Sequence, residues 1–232
     1  MKTLFLLLGL TVWAAHSAQA QSSCTSDGQA TPVALVERFV SADCEACWSE
    51  PQATPPNAKT LTLDWIVPGK QGEDAPLSAA ASQDALMRLQ TLRRAAPATS
   101  TKTSSPVLGA RANQLRVAHG LSLGGYIGTS IELKTALRPG SQTTLSAWLV
   151  LVETIPAGAD GTSTPRNLVR NVLQLPWNKR NQLSKIEHLT LHETRPLSIP
   201  SGAAPERLRV VGWVQDGRGR VLTAAQSVCA PT

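Results

Sequence analysis

Hydrophobic and polar positions change their period several times along the chain, and each change marks an expected element. Residues 4–12 form an unbroken apolar run behind Lys2, followed by Ala18-Gln19-Ala20. Residues 33–40 are apolar on both faces and interrupted only by Glu37 and Arg38, the pattern of a strand covered on both sides. Thr60–Val67 alternates and then turns fully apolar, predicting a second strand that could lie parallel to the first; Pro68-Gly69 ends it. Over residues 77–94, Ala81, Leu86, Leu89 and Leu92 fall near one helical face, Ser78 or Ser82 can cap the start, and Arg93-Arg94 suit the C-terminal end. The polar stretch 97–105 predicts a linker or exposed loop.

Beyond residue 114 the pattern becomes that of strands separated by turn signals. Residues 115–133 carry Gly120, Gly124, Gly125 and Gly128, which suit bulged or bent strands rather than a nucleotide loop. Residues 144–153 alternate, with Leu145, Ala147, Leu149 and Leu151 on one face and Trp148, Val150 and Val152 on the other. Further strands are expected over 166–175, 183–193, 208–215 and 220–228, the last two joined as a hairpin by Asp216-Gly217-Arg218-Gly219. The predicted fold class is α+β: a small α/β layer over 21–112, then a mainly antiparallel, β-sandwich-like domain over 113–232.

Composition adds a destination. The charged start, apolar middle and small-x-small end of residues 1–20 predict a secretory signal peptide, cut between Ala20 and Gln21, which places the product in the periplasm or outside the cell. The apolar run is shorter than the roughly 20 residues of a membrane span, so no membrane span is expected. The formal charge of +6 falls to +5 once Lys2 is removed. Arg93-Arg94 and the group Arg207, Arg209, Arg218 and Arg220 are basic, but neither carries a nucleic-acid motif. With 42% hydrophobic residues the chain can fill a substantial core.

The chemistry on offer is sulfur. Ser41-Ala42-Asp43 carries the chain off the first predicted strand, and Cys44 and Cys47 follow at the spacing of thiol–disulfide exchange proteins. Asp43, Glu45 and Glu50 would surround the pair with negative charge, which disfavours thiolate. Pro51 removes a helical donor and Pro55-Pro56 closes the segment, leaving room for about two helical turns. A disulfide that only fixes a turn is the competing reading. The four cysteines allow three connectivities, of which adjacency favours Cys44–Cys47 and leaves Cys24–Cys229 as a structural bond. His188 and His192 stand four apart, but on an extended segment that is about 13 Å, too far to share an ion. His119 has no evident companion, so no metal site and no cofactor are expected.

The run Glu37-Arg38-Phe39-Val40-Ser41-Ala42-Asp43-Cys44-Glu45-Ala46-Cys47 resembles the Glu-Leu-Phe-Thr-Ser-x-x-Cys-x-x-Cys segment of a bacterial family of exported thioredoxin-fold proteins of unassigned function. That family has a CxxC-bearing N-terminal half and a β-rich C-terminal half. Asn167-Leu168-Val169-Arg170 and Trp177 resemble its Asn-Val-Val-Arg segment and later tryptophan. The family usually has Pro-Pro and an acidic residue after the second cysteine, where this chain has Trp48-Ser49-Glu50-Pro51. The resemblance implies a thioredoxin-like α/β layer with Cys44 and Cys47 as the redox pair, and a cis-proline at Pro106 facing it. The expected function is thiol–disulfide exchange with a thiol or disulfide of another exported protein, Cys44 attacking, Cys47 resolving and Trp48 covering one side. The alternative is a non-catalytic periplasmic binding or structural module.

Overall fold

The computed structural model describes residues 24–51, 57, 59–109, 113–135, 144–177 and 189–229. The signal segment, the expected cleavage point and His188 lie outside them. Twelve strands are named: β1 (Cys24–Thr25), β2 (Ala34–Ser41), β3 (Thr60–Val67), β4 (Ser100–Pro106), β5 (Asn113–Leu123), β6 (Tyr126–Thr135), β7 (Leu145–Ile155), β8 (Arg166–Trp177), β9 (Leu189–Ser198), β10 (Leu208–Asp216), β11 (Val221–Gln226) and β12 (Val228–Cys229). Two α-helices accompany them among the described residues, α1 (Glu45–Ser49) and α2 (Gln83–Thr91).

The strands form two sheets, ordered β12-β1-β5-β6-β9 and β11-β10-β7-β8-β3-β2-β4. This overturns the expected fold class. The strands around the cysteine pair are not a thioredoxin-like α/β layer set before a β domain; β4, β2 and β3 continue the same seven-stranded sheet that holds β7, β8, β10 and β11. Backbone pairing joins them where β3 meets β8, with Asp64 opposite Leu168 in parallel. Periodicity alone reports which faces of a strand are covered and says nothing about which strand lies beside it.

Strand β7 shows how the layers stack. Leu145, Ala147, Leu149 and Leu151 pack with Val117, Ile131, Leu133 and Leu191 of the five-stranded sheet, and Trp148, Val150 and Val152 pack on the opposite face with Ala85 and Leu89 of α2. The alternation read from the sequence therefore becomes a sandwich on one side and a helix layer on the other. Gly212 on β10 marks a close approach of the sheets, since a Cβ there would stand 2.6 Å from Cγ1 of Val117 and 3.1 Å from Cδ1 of Ile131.

Two expected elements change. The helix predicted over 77–94 is confined to α2, where the Ser82 hydroxyl accepts a hydrogen bond from the Ala85 N–H at 3.3 Å. The preceding Ser78–Ala80 forms a 3-10 turn, and Arg93 adopts φ 54°, which ends the helix. The polar stretch expected to be a linker is the edge strand β4, paired with β2 from Ala34↔Pro106 to Val40↔Ser100. An edge strand needs a backbone partner on one side only, and Ser and Thr tolerate a half-covered pleat.

The charges that interrupt β2 have separate fates, because neighbouring side chains point to opposite faces. Glu37 faces α2 and is buried with Arg88, whose Nε and Nη2 donate to its two carboxylate oxygens at 2.8 and 2.6 Å. Arg88 Nη1 donates to Gln215 Oε1 at 3.0 Å, and its guanidinium lies 4.6 Å from the ring centre of Trp148 and 5.1 Å from that of Trp213. Breaking such a pair from one side leaves a buried charge without compensation, so Arg88→Ala should lower unfolding free energy by about 3–5 kcal/mol in urea titrations. Gly212→Ala should cost about 1–3 kcal/mol by overpacking in the same measurement.

Candidate redox site

Strand β2 and strand β3 run parallel in register from Ala34↔Thr60 to Ser41↔Val67. Their crossover begins with the cysteine pair at the C-terminal end of β2. The Ala42 N–H donates to the Val67 carbonyl at 2.8 Å, and the Cys44 N–H to the Ser41 carbonyl at 3.0 Å, which turns the chain off the sheet into α1. Asp43 secures the neighbouring loop: its carboxylate accepts the backbone N–H of Lys70 at 2.7 Å and of Gln71 at 3.2 Å. A Cβ on Gly69 would stand 2.0 Å from Asp43 Oδ1, so the close approach requires glycine.

Cys44 occupies the N-cap of α1 and is disulfide-bonded to Cys47, with Cα atoms 5.3 Å apart. Cys44 is half-buried, whereas Cys47, on the buried face of α1, is 6% exposed among Val40, Ile66 and Leu168. The pair thus has one accessible end and one sheltered end. Trp48 is buried beside Cys47, and its Nε1 donates to the Asp160 carbonyl at 2.7 Å.

At five residues α1 is far too short to persist alone, and its final carbonyls need outside donors. Pro51 has no N–H for the Cys47 carbonyl; Nη2 of Arg38 donates to it instead. Arg166 Nη2 donates to the carbonyls of Trp48 at 2.6 Å and Glu50 at 2.5 Å, and the Ser163 hydroxyl donates to that of Ser49 at 2.8 Å. The two arginines come from β2 and β8, on either side of β3, and both approach Asp64 Oδ1 of β3, at 3.9 and 3.5 Å. Arg166 is fully buried, with its guanidinium 5.2 Å from the Trp48 ring centre and its Nε bonded to Thr162 Oγ1 at 2.9 Å.

The electrostatics differ from the sequence expectation of an acidic surround. Asp43 is engaged by backbone donors, Glu45 and Glu50 are at the surface, and the charges buried behind the helix are two guanidiniums against the single carboxylate of Asp64. Burial holds the Arg38 pKa below its ordinary value, opposed by the charges of Asp64 and Glu50. A cation bonded to the Cys47 carbonyl favours thiolate nearby. Sequence reading missed the roles of Arg38, Asp64 and Arg166; the available signal was a charge set inside an apolar strand at Arg38 and Asp64, while Arg166, the first residue of β8, carried none.

Pro106 does not face the pair. It stands opposite Ala34, at the far end of β2, roughly 23 Å from the cysteine end at a rise of about 3.3 Å per residue. No cis peptide bond occurs among the described residues. The segment beside the cysteine end is instead that before β4, where the Thr99 carbonyl accepts the Ser41 N–H at 2.7 Å. Cys24 and Cys229 form the second disulfide, between β1 and β12, as expected. His192 is on β9 opposite Glu132.

No protein-family model matches the chain, and no curated protein does. Among solved structures it is similar to HBP35 of Porphyromonas gingivalis, at 12% identity and a TM-score of 0.48 over 86% of this chain and 76% of that one. It is also similar to the Pseudomonas fluorescens alkylpurine DNA glycosylase AlkC bound to DNA containing an abasic site analog, at 16% identity and a TM-score of 0.22 over 47% of this chain and 27% of that one. Likenesses this distant carry no argument about fold or activity.

Arg166→Ala removes both carbonyl bonds and one cation beside Asp64. It should destabilise the protein by about 3–5 kcal/mol. In the reduced protein it should also speed iodoacetamide labelling of Cys47 by about tenfold or more, a loosening of about 1.4 kcal/mol or more if labelling requires local opening. Unchanged labelling would show that Arg166 does not hold α1 with its Cys47 face against the sheet.

Proposed function

We propose that the protein carries out thiol–disulfide exchange at Cys44–Cys47 with dithiols of other exported proteins. The observation that carries this reading is the asymmetry of the pair: Cys44 is half-exposed at the N-cap and Cys47 is buried behind it. An incoming thiolate can reach the first sulfur, while the second is shielded from that attack and placed to leave or return. Two disulfides in the structure fit an oxidising compartment, and no described helix is long and apolar enough to cross a membrane.

In the disulfide form, a client thiolate attacks Cys44 Sγ, the Cys44–Cys47 bond breaks, and Cys47 leaves as a thiolate. The client's second thiol loses its proton to water and attacks the client sulfur of the mixed disulfide, releasing Cys44. Two electrons have passed from client to protein, and the client leaves with a new disulfide. Arg38, bonded to the Cys47 carbonyl, puts a cation on the residue that carries the leaving sulfur and so supports the thiolate formed there. Membership of the exported CxxC family is part of this proposal, supported by the two stretches of sequence likeness, which fall on β2 with α1 and on β8, to either side of β3.

The non-catalytic module remains the competing reading and predicts a different potential. Equilibration with glutathione should place Cys44–Cys47 above about −300 mV; a value below that belongs to inert structural disulfides and would defeat the proposal. In Cys47→Ser the remaining Cys44 thiolate should attack a small peptide disulfide and accumulate the mixed disulfide on mass spectrometry, and Cys44→Ser should accumulate far less. Equal trapping by both variants would remove the assignment of Cys44 as the attacked sulfur.

A further inference from the structure

The second disulfide has a neighbour that sequence separation conceals. Cys24 on β1 is directly opposite Cys229 of β12 on one side and His119 of β5 on the other. Directly opposed residues project to the same face of a sheet, so three strands deliver two sulfurs and an imidazole in one row. A ring nitrogen of His119 and both sulfurs lie within 4.8 Å of one another. His119 is 4% exposed; its Nδ1 meets the Gly120 carbonyl at 2.9 Å, and its Nε2 is buried without a hydrogen-bond partner. With Nδ1–H donating to a backbone carbonyl, Nε2 carries the lone pair, the arrangement by which metal-ligating histidines are oriented. A buried acceptor left unmatched is costly and calls for an explanation.

We propose that Cys24, Cys229 and His119 form a zinc-class metal site that opens when their disulfide is reduced. A dithiol reductant delivers two electrons and two protons to the cystine and leaves as its own disulfide, giving the Cys24 and Cys229 thiols. A divalent d10 ion then displaces the two thiol protons to water and takes two thiolates and the His119 nitrogen. On a tetrahedral ion with Zn–S distances near 2.3 Å the sulfurs stand roughly 3.8 Å apart, a separation that opposed strand positions can accommodate. Cys229 is exposed, so the ion can enter from solvent and keep water as its fourth ligand. Oxidised, the bond cross-links β1 and β12; reduced, the ion joins β12, β1 and β5.

The test uses the full exported chain carrying Cys44→Ser and Cys47→Ser, so that only this pair of thiols remains. After reduction with a phosphine, titration with Co2+ should saturate at one equivalent with a thiolate-to-cobalt absorption band, and Zn2+ should displace it. His119→Ala should weaken Co2+ binding by about tenfold or more, and the unreduced protein should show no band. Absence of stoichiometric binding, or equal affinity in His119→Ala, overturns the proposal. If reduction unfolds the chain, tryptophan fluorescence will report it. Zn2+ should then restore the native spectrum in the parent and fail to do so in His119→Ala, and restoration of both or neither overturns the site.

Discussion

Asp64 is the charge on which the cysteine site depends. It lies fully buried in the middle of β3, a place where an isolated carboxylate would be expensive, and it is tolerable there because Arg38 and Arg166 approach from the strands on either side. The two guanidiniums have donors to spare, and these reach the carbonyls of Cys47, Trp48 and Glu50. A helix of five residues, followed closely by Pro51 and unable to hold itself, is thereby attached to the sheet. The carboxylate orients the arginines, the arginines terminate the helix, and the helix sets which sulfur meets solvent.

The same β2 strand organises the opposite face. Glu37 points away from Arg38 and meets Arg88 of α2, whose guanidinium lies against the adjacent rings of Trp148 and Trp213. Consecutive residues of one strand thus tie both helices to the sheet, Glu37 by an ion pair to α2 and Arg38 by a hydrogen bond to the Cys47 carbonyl of α1. These contacts need not add stability over a well-packed apolar alternative. They do specify orientation, because a planar guanidinium satisfies its donors in few geometries.

The two disulfides serve opposite ends of the architecture. Cys44–Cys47 spans a single turn at the edge of the crossover, where it restrains little chain; Cys24–Cys229 has a sequence separation of 205 and fastens β1 to β12, two short strands at one side of the five-stranded sheet. A bond closing a long loop removes more freedom from the unfolded chain. The placement of His119 beside the second bond gives that structural role a chemical companion.

Much was legible in the residues themselves. The two-faced pattern of β7, the parallel pair β2 and β3, the hairpin after Asp216 and both cystines follow from alternation, turn chemistry and cysteine adjacency, which are local properties. Tertiary structure alone decided that β3 joins β8 and makes one sheet of the two halves, that a Ser/Thr stretch becomes an edge strand, and that Pro106 ends far from the cysteines. It also brought Asp64 to Arg166 across 102 residues, and His119 to a cystine whose members lie 95 and 110 positions away (119 − 24 and 229 − 119). Periodicity records whether a side chain is covered; which distant strand or charge covers it is settled only when the whole chain competes for partners.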